Sequence, residues 1–74
     1  MRLSILDLKN EIWQGAVKQV LLPTADGQMC VLDFHQSFVV RLEKGEIIFS
    51  GKRLPISDGI AFMHSNALDI FAQT

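Results

Sequence analysis

Apolar residues in this chain come in short runs that mostly alternate with polar ones, and Gly, Pro, Asp, Asn or Ser closes nearly every run. Arg2-Leu3-Ser4-Ile5-Leu6-Asp7 places Leu3 and Ile5 on one face of an extended segment, which Lys9-Asn10 ends. Glu11 to Val17 is a second extended segment, where Gly15 marks a bulge or a close backbone approach. Lys18 to Leu22 continues it in the same direction until Pro23 stops it, since proline offers a central strand no N–H. A helix over 11–22 would bring Ile12, Ala16, Gln19 and Val20 near one face. Gly15, the β-branched residues and the proline favour strand instead.

The chain turns at Asp26-Gly27, where glycine tolerates positive φ and aspartate bonds its own backbone. Met29, Cys30, Val31 and Leu32 form the next apolar run, followed by Asp33-Phe34-His35 with no helical signal. Polar tips on a loop leaving a rigid scaffold are where binding surfaces usually sit. Phe38, Val40 and Leu42 share one side of a further strand, and Glu43-Lys44-Gly45-Glu46 reads as a turn. Glu46 to Ser50 then pairs with Leu54 to Met63 across a hairpin at Gly51-Lys52-Arg53. Pro55 belongs at an edge or a strand start, and Ser57-Asp58-Gly59 marks a bulge. After a turn at His64-Ser65-Asn66, Leu68, Ile70 and Ala72 line one face of a last strand. About seven or eight short, mainly antiparallel strands without repeats give an all-β fold, a two-sheet sandwich or flattened barrel.

Composition narrows this further. Seventy-four residues make a single domain, 1–74. A domain of that size buries roughly 60% of its unfolded surface, so its stability is marginal. Hydrophobic residues at 49% against 20% charged exclude a disordered tail and suggest that a partner covers one face. The net charge of −1 is scattered, with no basic patch interleaved with aromatics, so nucleic acid is not an expected partner. A lone Cys30 cannot staple the fold, which fits a reducing compartment. The N-terminus lacks a basic-then-apolar signal and no apolar run approaches the ~18 residues of a membrane span. The expectation is a cytosolic protein with no direct membrane insertion, held at a membrane only through another protein.

Candidate chemistry changes little. His35 follows Asp33 by two residues, and His64, Cys30 and scattered acids are the other available ligands, at no metal-binding spacing. His35 reads as a loop residue bonded locally or to a partner, and His64 as solvated surface. Cys30, in an apolar run without a basic neighbour, reads as an inert buried thiol. Trp13 suits an interface anchor and core packing equally, because one Trp and five Phe are all the aromatics there are. No serine lies in a Gly-x-Ser-x-Gly setting and no glycine-rich loop can cradle phosphate. The residues point to no catalytic site, metal or cofactor.

The order Leu-Pro-Thr-x-Asp-Gly-x-Met-x-Val-Leu, a loop with His, a Gly-led hairpin, Ser-x-Gly-Ile and a strand ending Ala-Gln-Thr resembles the epsilon subunit of F-type rotary ATP synthases, called delta in mitochondria. The family's Leu-Gly-Ile-Leu-Pro-Gly-His corresponds to Met29-Cys30-Val31-Leu32-Asp33-Phe34-His35, and its Lys-Pro-Gly turn to Glu43-Lys44-Gly45. Ser57 to Met63 and Leu68 to Thr74 match its last two segments, so the likeness covers the whole chain. Asp33-Phe34 stands where the family has Pro-Gly, which implies a different backbone path there, and the hairpin at Gly51-Lys52-Arg53 is shorter than usual. Most members add a C-terminal pair of helices that can inhibit ATP hydrolysis and in some cases bind ATP. This chain ends at the sandwich, so neither property carries over and ATP binding is not expected.

The resemblance implies a non-catalytic central-stalk subunit. Its sandwich would grip the gamma subunit with one sheet face and rest one end on the c-ring, coupling ion-driven ring rotation to the shaft. The ring-facing end would include Asp26, Gly27 and Gln28, with Asp33, Phe34 and His35 close by. The family often has an acid where Gln28 stands, and Asp26 would substitute for it. The gamma-facing surface would use outward apolar residues among Phe38, Val40, Ile60 and Phe62. Two other readings stand beside this one: a free-standing β-sandwich interaction module outside the synthase, and a small metal-dependent hydrolase using His35, His64 and Asp33.

Overall fold

Spans this short between breakers cannot make helices, and their alternation suits a sheet with one face covered. The computed structural model describes residues 1–74 and contains nine strands and no helix. These are β1 (Arg2–Leu6), β2 (Glu11–Ala16), β3 (Gln19–Thr24), β4 (Gly27–Leu32), β5 (Phe38–Leu42), β6 (Gly45–Phe49), β7 (Lys52–Ile56), β8 (Asp58–His64) and β9 (Ala67–Gln73). They form a five-stranded sheet, β2-β1-β9-β8-β5, and a four-stranded sheet, β4-β3-β6-β7. Every neighbouring pair is antiparallel except β1 with β9. The all-β sandwich expected from the sequence is the fold.

The strand count exceeds the expectation because residues 54–63 are two strands in different sheets. Ser57 is not a bulge but the crossing point. Its N–H and hydroxyl both donate to the Gln73 carbonyl, at 2.7 and 3.1 Å, and so fix where the chain leaves one layer for the other. Only β7 pairs back on β6; β8 lies between β9 and β5. The run 11–22 divides as well. It turns over at Val17-Lys18, so β3 runs opposite to β2 and in the other sheet. The turn carries no Gly or Pro, which is why the sequence hides it.

Pro23 does not stop β3, which continues to Thr24. Its pairing with β6 covers only Val20↔Phe49 and Leu21↔Ile48, so the nitrogen of Pro23 faces a side where the ladder has ended. Its carbonyl instead accepts from the Glu43 N–H at 2.9 Å. Pro55 sits on the edge strand β7, as expected. The β6–β7 hairpin turns at Ser50-Gly51, one residue earlier than expected, with φ of 47° and 72°. Ser65 and Asn66, at 48° and 56°, make the same primed turn between β8 and β9.

All 16 buried residues are apolar and no polar side chain is buried. Leu3 and Ile5 of β1, and Leu68, Ile70 and Ala72 of β9, supply the five-stranded layer as the alternation requires. Val20, Leu22, Val31, Ile47 and Phe49 close it from the other layer. Trp13 is half-buried. Its indole lies over Gly15, leaving a Cβ there only 2.7 Å away, and tilts against Phe49 at a centroid distance of 4.8 Å. The ring is spent on packing, and Gly15 marks a close approach, not a bulge.

Candidate functional site

Strand direction decides which loops can act together. β4 begins at the hairpin turn after Thr24 and ends at Leu32, so Asp26, Gly27 and Gln28 stand at one end of the sandwich and Asp33, Phe34 and His35 at the other. Five steps of ~3.4 Å separate them by ~17 Å. The structure does not bring these two groups together. The first is a tight exposed tip: Gly27 takes φ 109°, and the Thr24 hydroxyl donates to the Gly27 carbonyl at 2.6 Å. Asp26 and Gln28 point into solvent beside it.

At the opposite end the His35 N–H donates to the Leu32 carbonyl at 3.1 Å and Phe34 takes φ 63°. A bond from the fourth residue back to the first, with positive φ at the third, is the turn that Pro-Gly favours. Asp33-Phe34 is therefore bent into that conformation at a cost in strain. The Phe34 ring is left 82% exposed. The Asp33 carboxylate accepts from the buried Met1 ammonium, and that ammonium also donates to the Val17 carbonyl. His35 Nδ1 lies 2.9 Å from the Gln36 carbonyl, with its ring edge-on to Phe38. His64 instead pairs with Asp69 at 2.9 Å on the outer face of the five-stranded sheet. Asp33, His35 and His64 thus have separate partners, and no three His, Cys, Asp or Glu residues are grouped to hold an ion.

The apolar surface differs from the one expected. Phe38 and Val40 pair with Met63 and Ala61, which are buried, so both face inward and pack against the core. The alternation that joined them to Leu42 carries them inside with it. Ile60 and Phe62 do face outward, and their neighbours there are Val39, opposite Phe62, and Phe71, opposite Ile60. Val39 is 71% exposed, Phe71 47% and Ile60 42%, and the Phe62 and Phe71 rings stack at 5.9 Å. Leu6 continues the row beside Phe71. A depression of about 630 Å³ opens at its end, lined by Leu8, Arg41, Asp58, Ile60, Phe71 and Thr74.

Cys30 is exposed rather than buried, because Met29 and Val31 take the two inward positions of β4 and leave it the outward one. Asp7 accepts from the backbone N–H groups of Asn10 and Lys9, both at 2.7 Å, which holds its carboxyl below the usual aspartate range. No helix is long and apolar enough to cross a membrane.

The chain is a two-sheet β-sandwich with an apolar interior and an outward apolar row on its five-stranded sheet. Residues 1–74 match the family described as ATP synthase, Delta/Epsilon chain, beta-sandwich domain, and the chain belongs to that family. It is 28% identical over 76 residues to the chloroplastic ATP synthase epsilon chain of Tetradesmus obliquus, covering 97% of this chain and 56% of that one. Its fold matches a chain of the Euglena gracilis mitochondrial ATP synthase, OSCP/F1/c-ring in rotational state 1, with a TM-score of 0.86 at 26% identity. That match covers 97% of this chain and 49% of the other. A second match, TM-score 0.85 at 10% identity, is the central stalk/c-ring of the Tetrahymena thermophila mitochondrial ATP synthase, covering 99% and 63% of the two chains. The chain thus spans between about half and two thirds of the length of these relatives.

Proposed function

We propose that the domain is a non-catalytic rotor element of an F-type ATP synthase, clamped between the gamma subunit and the c-ring so that the two turn together. The observation that carries this is the bare row Val39, Ile60, Phe62 and Phe71 on a sheet whose other side is packed solid. A lone soluble domain has no use for such a face, whereas a shaft subunit would bury it. Torque transfer needs joints that do not slip, and a stable joint buries on the order of 1,000 Å² or more in total. Gamma is assigned the outer face of the five-stranded sheet. The ring's polar loops are assigned the hairpin tip at Asp26, Gly27 and Gln28. Asp33, Phe34 and His35, at the far end of β4, are removed from the ring contact by that assignment. The domain would sit at the membrane surface through the complex alone, and nucleotide binding forms no part of this role.

Co-purification with the host's gamma subunit tests the reading. Ile60→Asp with Phe71→Ser should abolish capture of gamma and leave the fold intact, since both side chains are exposed. An Asp26→Cys variant in a Cys30→Ser background, with its thiol labelled by a photoactivatable maleimide, should cross-link to a ring loop. A wild-type chain that captures neither gamma nor ring would instead mark a free-standing interaction module.

A further inference from the structure

Four strands end the two sheets, and three of them are guarded against another strand. β7 turns Arg53 and Pro55 toward its open side, because Lys52 is bonded to Phe49 across the primed turn and bonding alternates from there. Pro55 has no N–H to offer. β5 carries Arg41, held 3.6 Å from Asp58. β2 begins with Glu11 and has a register break opposite Leu6. Charge, proline and bulges are the usual protections of an edge. β4, Gly27-Gln28-Met29-Cys30-Val31-Leu32, has none of them and pairs with β3 in unbroken register.

The phase of its free edge is fixed. Asp33 N–H donates to the Lys18 carbonyl at 3.2 Å, so the alternation along β4 turns Val31, Met29 and Gly27 toward β3. Gln28, Cys30 and Leu32 direct their backbone N–H and C=O groups outward, and their side chains are exposed on the outer face. Directly opposed residues of an antiparallel pair share a face. Two copies therefore merge into one continuous sheet, cores on the same side, only when outward residues oppose outward residues. Centring the pair on Cys30 uses all three open positions at once, setting Gln28 against Leu32 of the second copy and Cys30 against its own counterpart. Because the strand is uncharged, nothing repels its own copy. No other edge of the molecule matches it in length, phase and neutrality.

We propose that the unassembled chain dimerises through β4, antiparallel about a two-fold axis at Cys30, to give a continuous eight-stranded sheet. The Leu32 carbonyl already accepts from His35 N–H, so the new ladder adds roughly four backbone bonds. The pairing stands independently of the rotor reading. Hydrogen-bonded antiparallel partners lie ~5.5 Å apart between Cβ as well as Cα atoms, beyond the ~3.5–4.5 Å of a disulfide but within the reach of a short bis-maleimide, so cross-linking at Cys30 reports the register.

Sedimentation equilibrium of the 74-residue chain up to about 1 mM, with cross-linking of Cys30 by a short bis-maleimide and denaturing electrophoresis, tests this. The expected result is a concentration-dependent dimer that cross-links through Cys30. The double variant Gln28→Lys with Leu32→Lys alters only exposed side chains and sets lysine against lysine at both ends of the ladder. It should weaken the dimer about tenfold or more. A chain that stays monomeric, a dimer indifferent to both lysines, or one that Cys30 fails to cross-link would each overturn the proposal. So would a dimer abolished by Ile60→Lys, which would place the contact on the other sheet.

Discussion

The backbone N–H of Phe34 donates to Oδ1 of Asn66 at 2.7 Å, joining the turn after β4 to the β8–β9 hairpin and hence one sheet to the other. Both residues are held at positive φ, 63° and 56°. Asn66 also accepts from the Arg2 N–H through its carbonyl at 3.1 Å, so one side chain and one peptide bind three segments at this end of the sandwich.

Asn66→Ala removes the acceptor and puts a residue that disfavours left-handed φ in its place. A loss of about 2–3 kcal/mol is expected in urea unfolding, summing a lost hydrogen bond and the backbone penalty. Asn66→Gly removes the acceptor alone and should cost about 1 kcal/mol. Equal losses for the two variants would show that the backbone at Asn66 is not strained.

Phe34→Gly should act in the opposite sense. Its ring is exposed and contributes no core burial, while glycine adopts the observed φ freely. Against the greater entropy of an unfolded glycine, a net gain of about 0.5–1 kcal/mol is expected, read as a higher urea midpoint.

Glycines 59 and 15 should respond unequally to alanine. A Cβ on Gly59 would stand 2.8 Å from the Phe71 carbonyl oxygen and 3.3 Å from the Ala72 Cα, both backbone of the paired strand. The three atoms nearest a Cβ on Gly15 all belong to the Trp13 indole. Gly59→Ala is expected to cost about 2–3 kcal/mol and Gly15→Ala about 1 kcal/mol, because an indole can shift where a ladder cannot. Chemical denaturation of the two variants side by side measures the difference.

Acid unfolding should report Asp7. Its folded pKa lies below the unfolded value, through the N–H groups of Asn10 and Lys9. Its stabilising contribution is therefore complete above the unfolded aspartate pKa of about 3.9 and is lost as pH falls through the folded one. Asp7→Asn should flatten the dependence of the thermal midpoint on pH below about 4 and leave that dependence unchanged near neutrality. An unaltered acid limb would remove Asp7 from the account.

The sequence by itself determined the class of the fold and most of its strands, because short alternating runs punctuated by Gly, Pro and Asx residues leave the backbone few other choices. Asp26-Gly27 and Ser65-Asn66 were legible as turns for the same local reason. Alternation also grouped Phe38, Val40 and Leu42 correctly. It says only that alternate residues share a face, however, and is silent on which face meets the core. Packing against β8 decided that, burying the pair expected to face gamma and leaving Val39 and Phe71 outside. Sheet membership was equally hidden: Val17-Lys18 carries no breaker, and Ser57 looks like a bulge. Only tertiary structure chose the layer for each strand, closed the fold with β1 parallel to β9, and sent Asp26 and His35 to opposite ends of β4. Those choices rest on contacts between residues distant along the chain, which the local pattern does not encode.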